Sequence, residues 1–167
     1  LVHERDAGIV SGDGRPRQKT LGDILREWIA FRFETVTRRA QFRLQKVDDL
    51  IHILEGRESV LLNIEKVIKT IRESDEPKPA LIAAFKLSDR QAEDILEIRL
   101  RQLARLEAIK IQQELSELRA EKTTLHDLLN NPASMKKLIV KEIEADEKQY
   151  GDPLRTLIQA AEKALIE

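Results

Sequence analysis

The chain contains no cysteine, which excludes disulfides, thiolate nucleophiles and cysteine-ligated metal and fits a reducing compartment. Aromatic residues make up only 4% of its 167 positions and glycine occurs six times, while charged residues reach 35%. That balance disfavours a sheet sandwich and suits long solvated helices, so the expected class is all-α. Neither sign of charge dominates, because the formal net charge is −1. There is thus no global basic signature for nucleic acid and no acidic tail, and any DNA contact would have to be local. No apolar run approaches the roughly 20 residues of a membrane span, and the N-terminus lacks the apolar core of a signal peptide. The chain is expected to be soluble and cytoplasmic, with no membrane contact. A Gly-rich phosphate loop, a nucleophile elbow and a Walker pattern are all missing. The three histidines, His3, His52 and His126, lie far apart at no metal-ligand spacing and are expected on the surface. The stretch therefore carries no catalytic, cofactor or metal residues of its own.

What the chain does have is apolar periodicity. Ile111, Leu115, Leu118, Lys122, Leu125 and Leu129 alternate in steps of four and three, the spacing of a seam on a supercoiled helix. A return helix running from Ser88 to Asn130 would reach about 60 Å at 1.5 Å per residue, which predicts a protruding arm. Its partner is predicted upstream, where Leu21, Leu25, Trp28, Phe33, Val36, Ala40, Leu44, Val47, Ile51 and Leu54 recur every three or four residues but for one step of five, with no proline or glycine between Trp28 and Gly56. Thr20 as N-cap with Asp23 three residues on opens that helix, and Ser88 with Gln91 forms a second capping box. Asn131-Pro132 repeats the logic of a cap followed by proline at the first helical position, and Gly151-Asp152-Pro153 ends the helix so begun.

Between the long helices, residues 59–74 (SVLLNIEKVIKTIRES) predict one amphipathic helix. The prolines at 77 and 79 are expected to break it, and ALIAAFKL to follow as a short turn or helix. These few residues are generous in Val, Leu and Ile, yet so small a core is ordinarily completed by oligomerisation. At the N-terminus, Asp13-Gly14 can supply a tight hairpin between short extended pieces. Beyond Pro153, the stripe Leu154, Leu157, Ile158, Ala161 and Leu165 makes the tail a candidate helix.

Charge patterning leaves two readings open. Arg32, Arg39 and Arg43 share one helical face with Arg38 beside them, a stripe that could lie on duplex phosphates. The same arginines could instead pair with Glu107, Glu114 or Glu117 across the coil. Lys122 within the seam either fixes register or snorkels from its edge. From periodicity alone the chain could also be a stand-alone coiled-coil or chromosome-organising arm protein.

Several segments, in order, resemble the A subunits of bacterial type IIA DNA topoisomerases, the topoisomerase IV branch more closely than the gyrase branch. They are GDGRP (12–16), EWIAFRFETVTRR (27–39), HILEG (52–56), NIEKVIKTIRESDEPKPAL (63–81), LSDRQAEDILEIRLRQLARLE (87–107) and KEIEADEKQYGD (141–152), covering about residues 9–152. The resemblance implies a long antiparallel coiled coil capped by a small helical dimerisation head, the exit gate or C-gate. It places 20–56 in the outgoing helix, 57–97 in the head, 98–130 in the return helix and 131–150 in a base helix; residues 1–19, of which 1–8 match nothing in the family, read as the end of an upstream domain or a terminal remnant, and 151–167 as a tail. It further implies that the catalytic tyrosine lies upstream, outside this chain. Tyr150 matches no catalytic motif and is expected to pack.

The resemblance likewise implies a homodimer through the head, with Leu87, Ala92, Ile95, Leu96, Arg99 and Leu103 as expected interface residues. It implies the topoisomerase IV B subunit and double-stranded DNA as partners of the parent enzyme, a bacterial, chromosome-associated location, and ATP and Mg2+ acting elsewhere in that enzyme. Lys86 departs from the family, which usually has glycine there; lysine accepts a left-handed backbone poorly, so the local conformation becomes a question.

Overall fold

The computed structural model describes residues 7–10, 14–98 and 108–153. The elements in chain order are β1 (Ala7–Val10), β2 (Pro16–Lys19), α1 (Leu21–Leu62), α2 (Ile64–Glu73), α3 (Pro77–Phe85), α4 (Asp89–Glu97), α5 (Ala108–Asn130) and α6 (Pro132–Tyr150). The class is all-α, with one small antiparallel hairpin in which Ala7 pairs with Lys19 and Val10 with Pro16. Gly14 closes that hairpin at φ 79, a left-handed conformation that glycine adopts without a steric penalty. The chain divides into two compact units, Leu1–Arg39 with Asn131–Glu167, and Ala40–Asn130.

In the first unit, Thr20 Oγ1 accepts from the Asp23 amide at 3.3 Å and donates to the Asp23 carboxylate at 2.8 Å, capping α1 as expected. Those bonds hold the Asp23 carboxyl below its usual pKa, the Thr20 hydroxyl being the largest cause. Asn131 caps α6 by accepting from the Ala133 amide at 3.0 Å, with Pro132 at the first helical position. Helices α1 and α6 run antiparallel, as Arg39 meets Glu142 while Arg32 reaches Glu142 and Asp146. Val36, Met135 and Ile139 are buried here, but Leu21, Leu25 and Trp28 remain exposed although they continue the apolar period of α1. A period states which face is apolar and cannot state where its cover stops. Tyr150 is 73% exposed rather than packed.

The second unit holds two cores. Val47, Ile51 and Leu54 of α1 interlock with Ile111, Leu115 and Leu118 of α5, with Leu61 and Leu125 packed at the edges. This is the predicted seam, and its antiparallel sense is fixed by Gln112 bonding Glu58, Arg119 bonding Glu55 and Arg43 bonding Glu121. Val60, Val67, Leu81, Leu87, Ala92 and Ile95 form the second core, supported by Ile64, Ile71, Ile82 and Phe85. At about 1.5 to 3 kcal/mol for each large side chain removed from water, either cluster is ample to hold its helices together.

Four boundaries differ from expectation, each for a local reason. Helix α1 does not stop at Gly56 but runs to Leu62, because this glycine accommodates a neighbour rather than ending a turn. The amphipathic run 59–74 is two helices, divided at Asn63 (φ −127, ψ 28), whose side-chain amide donates to the Ser59 carbonyl at 3.1 Å. The break expected at the prolines lies at residues 74–76, and Pro77 and Pro79 open α3 instead of preceding it, since the amides they lack belong to the first turn and would be unpaired anyway. The return helix is not continuous from Ser88: α4 ends at Glu97 and Ile98 is extended (φ −64, ψ 124). Residues 99–107 lie outside the described part, as does the predicted tail helix beyond Pro153.

Lys86 caps α3 in the left-handed conformation at φ 53, ψ 38. Its exposed side chain gains nothing visible that offsets a backbone cost of about 1 to 2 kcal/mol for a non-glycine residue. Lys86→Gly is therefore expected to stabilise the protein by about 1 kcal/mol, read as a higher urea midpoint at unchanged m-value. A lower midpoint would mean that lysine holds the α3–α4 turn through its side chain.

Candidate functional site

Among the described residues, the core built from α2, α3 and α4 leaves one face uncovered. Val67, Ile68, Ile71 and Arg72 of α2 face Ile95 and Leu96 at the end of α4, and with Ile98 they line a groove of about 330 Å3. Helix α2 supplies Val67 and Ile71 to the core and leaves Ile68 half-exposed beside them, so its apolar stripe is wider than one partner helix needs. Leu96 is 39% exposed at the groove's rim. An apolar concavity with one guanidinium at its edge suits protein contact, and its lining holds no nucleophile or acid–base pair.

The root of this surface is clamped to α1. Ser88 Oγ accepts from the Gln91 amide at 3.2 Å and Gln91 Oε1 accepts from the Ser88 amide at 2.9 Å, the reciprocal capping box read from the sequence. The same glutamine donates from Nε2 to the His52 carbonyl at 2.6 Å, and His52 Nε2 lies 2.6 Å from Ser88 Oγ. Gly56 sits directly beneath: a Cβ there would stand 2.8 Å from Gln91 Cγ and 3.0 Å from its Cβ. Arg57 adds a two-pronged bond to Asp94, both arms at 2.8 Å, which raises the guanidinium's already high pKa. Arg90 bonds Asp49 at 2.9 Å and holds that carboxyl below its ordinary value. His52 is thus half-buried in a polar junction rather than free on the surface, whereas His126 is exposed and His3 lies outside the described residues.

Of the six expected interface residues, Leu87, Ala92 and Ile95 are consumed by the chain's own core, each 6% exposed or less. Leu96 alone among them is exposed at the groove, and Arg99 and Leu103 lie outside the described residues. Ile68, Ile71, Arg72 and Ile98, which line the groove with Leu96, are not among the expected residues. The surplus of isoleucine around the α2 helix was the available signal.

The arginine stripe is paired. Arg32 reaches Glu142 at 3.4 Å and Asp146 at 3.2 Å, Arg39 bonds Glu142, and Arg38 lies 3.8 Å from Glu34 in its own helix. Arg43 grips Glu121 with arms of 2.5 and 2.9 Å, bonds that hold the Glu121 carboxyl below its usual pKa. Carboxylate pairing is therefore the reading that the geometry supports, but through Glu121, Glu142 and Asp146 rather than Glu114 or Glu117; Glu107 lies outside the described residues. Lys122 is at the seam's edge, 2.7 Å from Asp48 Oδ1 with both side chains roughly two-fifths exposed. Among the described residues no three His, Asp or Glu side chains gather as a metal site, and no helix is long and apolar enough to cross a membrane.

Comparison with known proteins is concordant over most of the chain. Residues 6–144 match the family model for the A subunit of DNA gyrase/topoisomerase IV. The chain is 56% identical over 154 residues to the DNA topoisomerase 4 A subunit of Neisseria gonorrhoeae, covering 92% of this chain and 20% of that protein. It is 49% identical over 152 residues to the protein of the same name from Escherichia coli K12, and 39% identical over 152 residues to that of Rickettsia felis, covering 91% of this chain and 20% of the relative in both cases. The chain therefore spans about a fifth of the length of the curated relatives it matches. With a family model covering far more than half its residues, and with the antiparallel seam and capped helices laid out above, the chain belongs to the family of DNA gyrase and topoisomerase IV A subunits.

Proposed function

We propose that this chain is the exit-gate region of a topoisomerase IV A subunit, in which the helical head pairs with a second copy of itself and later parts to release a transported duplex. The observation that carries the reading is the apolar groove of Val67, Ile68, Ile71, Arg72, Ile95, Leu96 and Ile98, open among the described residues beside the head's own core. In the parent enzyme, ATP-driven double-strand breakage, passage and rejoining would change DNA topology and separate linked chromosomes in the bacterial cytoplasm. ATP and Mg2+ would act there in other domains and in the B subunit. This region's task is mechanical: to hold two protomers together through an interface that is apolar enough to close and limited enough to open. The seam of α1 on α5 gives the head a rigid support through which that opening can be transmitted.

Sedimentation at micromolar concentration tests the reading, with a dimer expected. Leu96→Glu and Ile68→Glu place a carboxylate in the groove, and each is expected to weaken self-association at least about tenfold while leaving helix content unchanged. A strict monomer, or a dimer indifferent to both substitutions, would sink the groove as the gate surface.

A further inference from the structure

Helix α6 turns its lysines away from the side that meets α1. Glu142 and Asp146 point to α1 and are engaged by Arg32 and Arg39, on the same side as the buried Met135 and Ile139. At 3.6 residues per turn, Lys137, Lys141 and Lys148 fall on the opposite side and Lys136 on its flank. All four are exposed, and none is paired with a carboxylate among the described residues. Val140 is exposed between the first three, and Ala133, Lys136, Lys137, Val140, Lys141 and Glu144 together line a shallow depression. Glu144 is the one acid within it, and Glu147 neighbours Lys148, so the excess positive charge is centred on Lys136, Lys137 and Lys141.

We propose that this lysine face of α6 is a contact surface for the phosphodiester backbone of duplex DNA. The arginines that sequence patterning offered for that task have their guanidinium groups occupied by carboxylates. The lysines keep all three ammonium donors free. Ammonium groups on flexible stems suit sequence-independent phosphate contact, in which counterion release rather than a fixed bonding geometry supplies the affinity. The small Ala133 and the short Val140 leave the helix surface low between the lysines, so a phosphate ridge can approach without displacing bulky side chains. From Lys137 to Lys148 the face extends about 16 Å along the helix, enough to follow several successive phosphates. The choice of DNA as the occupant rests on the topoisomerase reading above.

Fluorescence anisotropy of the full chain with a mixed-sequence duplex of about 20 base pairs, over a salt series, tests it. Weak binding at low salt is expected, falling steeply as salt rises. Replacing Lys136, Lys137 and Lys141 together by Gln should make the slope of log affinity against log salt shallower by about 2.7, and charge reversal to Glu should weaken binding at low salt by at least about tenfold. Lys66→Glu, Lys69→Glu and Lys86→Glu combined alter net charge equally in the other unit and should leave binding nearly intact. Equal loss in both triple variants, no loss in either, or binding to phosphatidylserine vesicles but not to duplex would overturn the proposal. Sedimentation of the same samples separates the two ideas: a dimer that ignores DNA removes only this inference, and a monomer with lysine-dependent DNA binding removes only the gate.

Discussion

Gly56→Ala is expected to destabilise the protein by about 2 to 3 kcal/mol, although alanine in a helix interior normally gains about 1 kcal/mol over glycine. The new methyl would stand 2.8 Å from Gln91 Cγ and 3.0 Å from Gln91 Cβ, and the second of these cannot move without moving the first turn of α4. Displacing Gln91 breaks its bond to the His52 carbonyl and half of the capping box with Ser88. Overpacking costs about 1 to 3 kcal/mol, and leaving buried polar groups unpaired costs a similar amount. Together they outweigh the propensity gain. The check is a double-mutant cycle in urea. In a Gln91→Gly background the crowding side-chain atoms, Cβ included, are gone, so Gly56→Ala should become neutral or stabilising by up to about 1 kcal/mol. An equally large loss in both backgrounds would show that Gln91 is not the cause.

The contrast between Gly56 and the helix caps shows where sequence reasoning reaches. Thr20 with Asp23, Ser88 with Gln91 and Asn131 with Pro132 were legible because a cap is decided within four residues, by side chains that can reach only nearby amides. The seam was legible for a similar reason: Ile111, Leu115 and Leu118 repeat on one face whatever their partner. Gly56 looks the same in sequence whether it ends a helix or admits a neighbour, and only the approach of Gln91 from 35 residues downstream decides between them. The break ahead of Pro77 is where the sequence places it, but α3 starts at that proline rather than at Ala80, because a proline that forbids a helix interior is welcome in a first turn.

The groove shows the same limit. Leu87, Ala92 and Ile95 are apolar and adjacent, but whether such residues face the chain's own core or another chain is set by how α2 and α3 fold against α4. The same holds for charge. Arg32, Arg39 and Arg43 have long stems that can meet many carboxylates, and those they meet lie 78 to 114 positions away. Their shared face was readable in the sequence, whereas their partners were not. The lysine surplus of α6 follows from this: once Glu142 and Asp146 are committed to α1, the lysines away from α1 outnumber the acids beside them.

Leu115→Ala is expected to cost about 3 kcal/mol, and it separates what the seam's layers do. Leu115 is 1% exposed at the centre of the α1–α5 core, so removing its branched end loses transfer energy and leaves a cavity that rigid helices on both sides close poorly. Lys122, one helical turn beyond Leu118, sits at the seam's edge with its ammonium 2.7 Å from Asp48. An exposed pair of this kind contributes about 1 kcal/mol or less, so Lys122→Leu should change stability by no more than that and can even raise it. The lysine's contribution lies instead in register: a charge at one seam position penalises pairings that would bury it. Urea midpoints give the two energies, and size-exclusion chromatography gives the specificity. Leu115→Ala should unfold earlier at an unchanged native size, while Lys122→Leu should keep its midpoint and add larger species as the apolar edge becomes continuous. A Lys122→Leu protein of unchanged size and markedly higher midpoint would assign that position a stability cost with no return in register, and an unaffected Leu115→Ala would mean that the seam does not hold the two helices.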